Sequence, residues 1–215
     1  MKPSRYDEWV TSLFSQTVSE YGSHLQCDEL WNDNAHFAEL TIWLLRHCAL
    51  DLGKMSDESV AFGLKHTFKG FEAEPNCPLK SGDISREMKI ELIRSFESLY
   101  SGCFESRCAP ILLHLGEPGG SSLNQFCFML WDSSPLGSWN DHKDPEEFYT
   151  ALVEMLKKVL LLSNPACVES ALHGLGHLHP ECPRLVENAI DECIDRGLNE
   201  NLLKYALCAR SGDVL

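Results

Sequence analysis

A chain of 215 residues with 44% hydrophobic and 23% charged side chains can bury the core of one large domain or a short repeat array, and it lacks the composition of a disordered tail. Its formal net charge of −14, from 32 acidic and 18 basic residues, lacks the basic footprint of a nucleic-acid binder, and no Lys/Arg cluster is longer than Lys157-Lys158. Apolar stretches such as Val159 to Leu162 fall far short of the roughly 20 residues that span a bilayer, so neither nucleic acid nor membrane is an expected partner.

The N-terminal MKPSRYDEWVTSLFSQ has no continuous apolar segment, and Asp7 and Glu8 stand where a signal peptide is neutral. The expected location is cytoplasmic. Ten cysteines, at 27, 48, 77, 103, 108, 127, 167, 182, 193 and 208, include no CxxC pair. They are expected as small buried hydrophobes with free thiols, with Cys48, Cys127 and Cys208 on apolar helix faces.

Apolar residues at Tyr6, Trp9, Val10, Leu13, Phe14 and Val18 predict a first helix from about Tyr6 to Glu20, ended by Gly22. A second, from about Asn34 to Leu52, is apolar on much of its circumference and should be central. Ser56 caps a third, SDESVAFGLKHTFKG, with Asp57 and Glu58 where the macrodipole favours acids. The short connection between the second and third predicts an antiparallel pair. After a Pro/Gly-containing loop at 72–83, a fourth helix spans about Ser85 to Tyr100. The stretch 101–142 is the least regular. It is expected to hold a short helix at Cys108–Leu115, the surface loop GEPGGSS, a helix from about Ser122 to Trp131, and a loop SSPLGSWNDHKD.

The C-terminal third has the clearest signals. Asp144 is expected to cap a helix that starts at Pro145 and carries Phe148, Leu152, Met155, Leu156 and Val159. Asn164 and Pro165 repeat that start for a helix stopped by Pro180. Helices from about 183 to Gly197 and from about Asn199 to Ala209 follow. The expected fold is all-α: antiparallel helix pairs forming a HEAT-like α-solenoid or an irregular helical array of about 8–10 helices. It is expected as a single domain, 1–215, whose halves 1–100 and 101–215 would not be independent.

The segment NPACVESALHGLGHLHPECPRLVENAIDECIDRGLNENLLKYALCARSGDVL, with ESALHGLGHL followed by RLVENAIDECI, resembles a HEAT-type helical repeat and the C-terminal end of bacterial proteins of uncharacterised function. SDESVAFGLKHTF resembles an N-terminal segment of such proteins. The resemblance covers about half the chain, and 101–142 departs from a regular repeat. It implies a scaffold that binds other proteins, although fold alone does not fix function.

The sharpest chemical constellation is HGLGHLHPEC. His173 and His177 are four apart on one helix, Glu169 is four earlier, and His179 and Cys182 follow the helix end. Two imidazoles, a carboxylate and a thiolate on one side of a helix could hold a zinc-like metal. These residues lie opposite the stripe Val168, Ala171, Leu172 and Leu175. The plainer alternative is that His173 and His177 hydrogen-bond to a neighbouring helix, which Gly174 and Gly176 let approach closely. HExxH, GxSxG and P-loop signatures are absent, and nothing selects one Cys–His pair as a dyad, so no catalytic residue is assigned.

Trp31 and Trp139 stand in polar loops beside Asp33, Asp141 and Asp144, where an exposed indole framed by acids would make a binding anchor for a basic protein. The alternative is that each indole folds back over a helix end. Three functions are therefore expected to compete. One is a non-enzymatic protein-interaction module, possible in the form of an inhibitor or immunity protein that masks a basic partner. The others are a metal-binding protein or metal-dependent enzyme using the His173/His177 face, and a structural domain of a larger assembly.

Overall fold

The computed structural model describes residues 1–14, 33–69 and 78–214, and among these every regular element is helical. Helix α1 (Tyr6–Phe14) buries Tyr6, Trp9, Val10, Leu13 and Phe14, the expected stripe. Its expected continuation through Val18 to Gly22, together with Cys27 and Trp31, lies outside the described residues. Helix α2 (Asn34–Asp51) starts at Asp33, whose carboxylate accepts from the His36 N–H at 3.0 Å. Helix α3 (Asp57–Lys69) is capped by Ser56, whose Oγ accepts from Ser59 N–H at 3.2 Å.

Helix α4 (Arg86–Leu99) is capped by Ser85 and runs on through a π turn, Tyr100–Phe104, into the short α5 (Glu105–Arg107). Arg107 then donates to Leu52 O at 2.9 Å, Met55 O at 2.7 Å and Asp57 Oδ1 at 2.7 Å, which ties the α2–α3 turn to the end of α4. The expected helix at Cys108–Leu115 does not form. Cys108 is extended, and only a 3-10 turn at Leu113–Leu115 remains. Pro110 explains this: it lacks an N–H and drives the preceding residue away from helical dihedrals.

The expected helix over 122–131 is two pieces, α6 (Ser122–Phe128) and α7 (Leu130–Ser133), broken at Met129. Helix α8 (Glu146–Val159) has no side-chain cap. Asp144 does not cap it as expected. It takes a left-handed φ of 53° and turns its carboxylate towards Arg86 at 3.4 Å. Helix α9 (Pro165–Leu178) begins as its sequence signal predicts, with Asn164 accepting from Ala166 N–H at 3.0 Å. Helix α10 (Pro183–Arg196) ends at Gly197, and α11 (Glu200–Arg210) is capped by Asn199.

The most enclosed element is α9. It packs against α6, α7, α8, α10 and α11, and every residue from Ala166 to Gly176 is buried. Glu169 and His173 of the expected polar face therefore point into the protein, while His177 is exposed. Elsewhere α2 packs chiefly on α4 rather than α3, α3 packs on α1 and α6, and α4 packs on α8. Buried apolar side chains from Tyr6 to Val214 join one continuous core.

The described cysteines are all free thiols. Cys48, Cys103, Cys108, Cys127, Cys167 and Cys193 are buried, and burial pushes the Cys48 thiol up to about 11 and Cys103 to about 12. Cys208 departs from expectation and is exposed, because α11 packs its Leu202, Tyr205, Ala206 and Ala209 side inwards. No helix among the described residues is long and apolar enough to cross a membrane.

Candidate functional site

A seam of polar side chains runs along α9, and each member has a partner on another element. Ser170 donates to Cys127 O at 2.5 Å. It is reached by the Tyr100 hydroxyl at 2.7 Å, which in turn accepts from the Trp131 indole N–H at 3.0 Å. Buried polar groups of this kind must be satisfied, and the π turn at the end of α4 is what carries Tyr100 to this position. One residue earlier on α9, the Glu169 carboxylate accepts from the Leu113 and His114 N–H groups at 3.0 and 2.9 Å. It also meets His114 Nδ1 at 2.5 Å.

One turn later stands His173, 2% exposed. Its Nδ1 lies 2.6 Å from the Tyr205 hydroxyl of α11, and its Nε2 lies 2.8 Å from Asp132 Oδ2 of α7. His177 Nε2 lies 3.2 Å from Asp132 Oδ1 and 3.1 Å from His173 Nε2. The three donor atoms thus converge within 4.8 Å of one another. With metal–ligand bonds of about 2.0–2.1 Å, neighbouring ligand atoms around one ion stand about 2.9–3.4 Å apart, a spacing the two Nε2 atoms meet, and Asp132 completes the triangle of residues by offering a different carboxylate oxygen to each imidazole.

Its electrostatics suit a cation. Burial lowers the His173 pKa in spite of the nearby Asp132, which favours the neutral imidazole. Two Nε2 atoms 3.1 Å apart that both face one carboxylate oppose each other when both carry protons. Two lone pairs and a carboxylate aimed at a shared ion do not. The Asp132 and His177 side chains are 32% and 36% exposed, so one side of the triangle opens to solvent.

The placement follows from Gly174. A Cβ there would lie 2.8 Å from Trp131 Cδ1, so only glycine lets the indole rest directly on α9. The break at Met129 sets α7 at its own angle, and seating Trp131 on α9 carries the next residue, Asp132, over His173 and His177. The expected close approach at Gly176 also occurs, against Val214 at 2.5 Å from the same hypothetical atom.

Of the five residues anticipated as ligands, His173 and His177 come together and three do not join them. Glu169 is committed to the 3-10 turn and His114. His179 Nε2 lies 3.6 Å from Glu187. The Cys182 thiol donates to Leu178 O at 3.5 Å, and burial pushes its pKa up to about 11, away from the thiolate a metal needs. Asp132 was not anticipated. It lies 41 residues from His173 along the chain, and no local spacing points to it.

The anticipated partner surface is also largely occupied. Trp139 is fully buried, stacked on Phe148 at 4.4 Å, with its indole N–H donating to Leu136 O at 2.5 Å. It covers the start of α8 and offers no exposed anchor, which corrects that expectation. Asp33 caps α2 and Asp144 faces Arg86, while Asp141 is exposed. Trp31 lies outside the described residues. No protein family, characterised protein or solved structure matches the chain.

Proposed function

We infer that the chain is a metal-binding protein in which Asp132, His173 and His177 hold a zinc-like transition ion. The observation that carries this reading is the convergence of two imidazole nitrogens and one carboxylate from two elements within 4.8 Å. Imidazole ligation favours zinc and its first-row neighbours over calcium or magnesium, which take oxygen ligands. Three protein ligands with one exposed side correspond to an open site, where an exogenous ligand completes the shell, rather than to a closed structural one.

Elemental analysis after purification without chelators, followed by calorimetric titration with zinc, tests this. The expected result is about one equivalent bound, with a release of protons that varies with pH as ligand deprotonation requires. Metal below about a tenth of an equivalent, together with no heat of zinc binding, would sink the reading.

A second reading, a protein-interaction module for a basic partner, is favoured by the net charge of −14. Its expected signature is one stoichiometric basic protein retained from lysate at low salt and released as salt rises. Retention that does not change with salt would count against it.

A further inference from the structure

We propose that Tyr205, on the C-terminal helix, is a positioning residue that holds His173 in its ion-binding tautomer, so that ion affinity and the docking of α11 are linked. This rests on the metal reading above. A neutral imidazole carries one proton on its two nitrogens. His173 presents Nε2 to Asp132 and His177, so ligation through that atom requires the proton on Nδ1. That nitrogen is buried and has the Tyr205 hydroxyl oxygen 2.6 Å away to accept from it. Without the hydroxyl, an Nδ1 proton would be buried with no acceptor there. The imidazole would then keep its proton on Nε2, donating to Asp132, in the form that cannot ligate.

The tyrosine is itself held. Its ring stacks on His114 at 4.2 Å and 17°, and His114 is fixed by Glu169 at 2.5 Å. It lies nearly parallel to the His173 ring, at 6°, with 6.4 Å between centroids, the arrangement of two rings joined edge to edge by a hydrogen bond. Phe128 packs on His173 at 4.7 Å and limits its rotation. Glu169, which is no ligand, thus supports the site at a distance through His114 and Tyr205. Because coupling between binding and docking is reciprocal, an ion that demands the Nδ1–H···Oη bond also tightens α11 onto α9.

The test uses the full chain, zinc as the probe, and nitrogen-15 NMR of the histidine rings. Zinc-loaded wild type should show the His173 proton on Nδ1. Tyr205→Phe should bind zinc at least about tenfold more weakly, in the range typical for loss of an outer-shell partner, and its zinc-free His173 should carry the proton on Nε2. Amide exchange in α11 should slow on zinc binding in wild type and much less in Tyr205→Phe. An affinity within about twofold of wild type, with the same tautomer, overturns the proposal. So does ligation through Nδ1 in wild type, a result that needs no variant to fold. Failure of wild type to bind zinc removes the metal reading itself and this inference with it, and is distinguished by the wild-type titration alone.

Discussion

Zinc is expected to raise the melting temperature of the wild-type protein by about 5–10 °C and to leave that of His173→Ala unchanged. Free ligand at 100 times its Kd stabilises a folded state by about 2.7 kcal/mol, and each kcal/mol moves the melting point of a chain this size by about 2–4 °C. His173 is the decisive ligand because it is the preorganised one. Its side chain is 3% exposed, and its ring is fixed between Tyr205, Phe128 and Asp132. His177, with a side chain 36% exposed, has to be ordered by the ion, so His177→Ala should retain weak binding. Thermal unfolding followed by circular dichroism, each variant with and without zinc at one fixed concentration, separates ion binding from the cost of the substitution. A zinc-induced shift in His173→Ala as large as that of wild type would remove the residue from the site.

Gly174→Val is expected to destabilise the protein by about 3 kcal/mol or more. The new Cβ would fall 2.8 Å from two indole atoms of Trp131 and 2.9 Å from a third. The indole cannot easily retreat. It is 5% exposed, packs near Phe96 at 6.2 Å, and donates to the Tyr100 hydroxyl at 3.0 Å. Overpacking of this kind costs about 1–3 kcal/mol. Losing the buried Trp131–Tyr100 bond adds about 1–3 kcal/mol more. The better helix propensity of valine over glycine returns only a few tenths of a kcal/mol. In urea the midpoint should fall with the slope unchanged. Zinc affinity should fall too, because Asp132 follows Trp131 on the same short helix. An unchanged midpoint would mean that α7 yields to the intrusion and does not depend on Gly174 for its seat.

Much of the helical framework was legible because its signals are local. Asn164 followed by Pro165, Ser85 before Arg86 and Asn199 before Glu200 each mark a helix start, and each caps one. The failures are local conflicts settled from outside. At Cys108–Leu115 the apolar run reads as a helix, but Pro110 forbids it and Asn124 instead brackets Ala109, accepting from its N–H at 3.0 Å and donating to its C=O at 2.8 Å. At Asp144 the Asp-Pro-Glu-Glu pattern reads as a cap, but Arg86 from α4 offers the carboxylate an ionic partner. Trp139 sits in a polar stretch, yet Phe148 and His142 give its ring a buried place that the polarity of the stretch conceals.

The candidate site divides in the same way. That His173 and His177 share one side of a helix, and that Gly174 and Gly176 invite close neighbours, follows from 3.6-residue periodicity and the absence of a Cβ, both of which are written in the sequence. Which groups answer those histidines is a matter of tertiary structure. Asp132 and Tyr205 stand 41 residues before and 32 residues after His173, and only the packing of α7 and α11 on α9 brings them within hydrogen-bond reach. The same packing withdrew Glu169 to His114, and local backbone and helix-end contacts took Cys182 and His179. Local pattern determines which side of a helix a residue occupies. The partner across that side depends on long-range burial, which a single stretch of sequence does not encode.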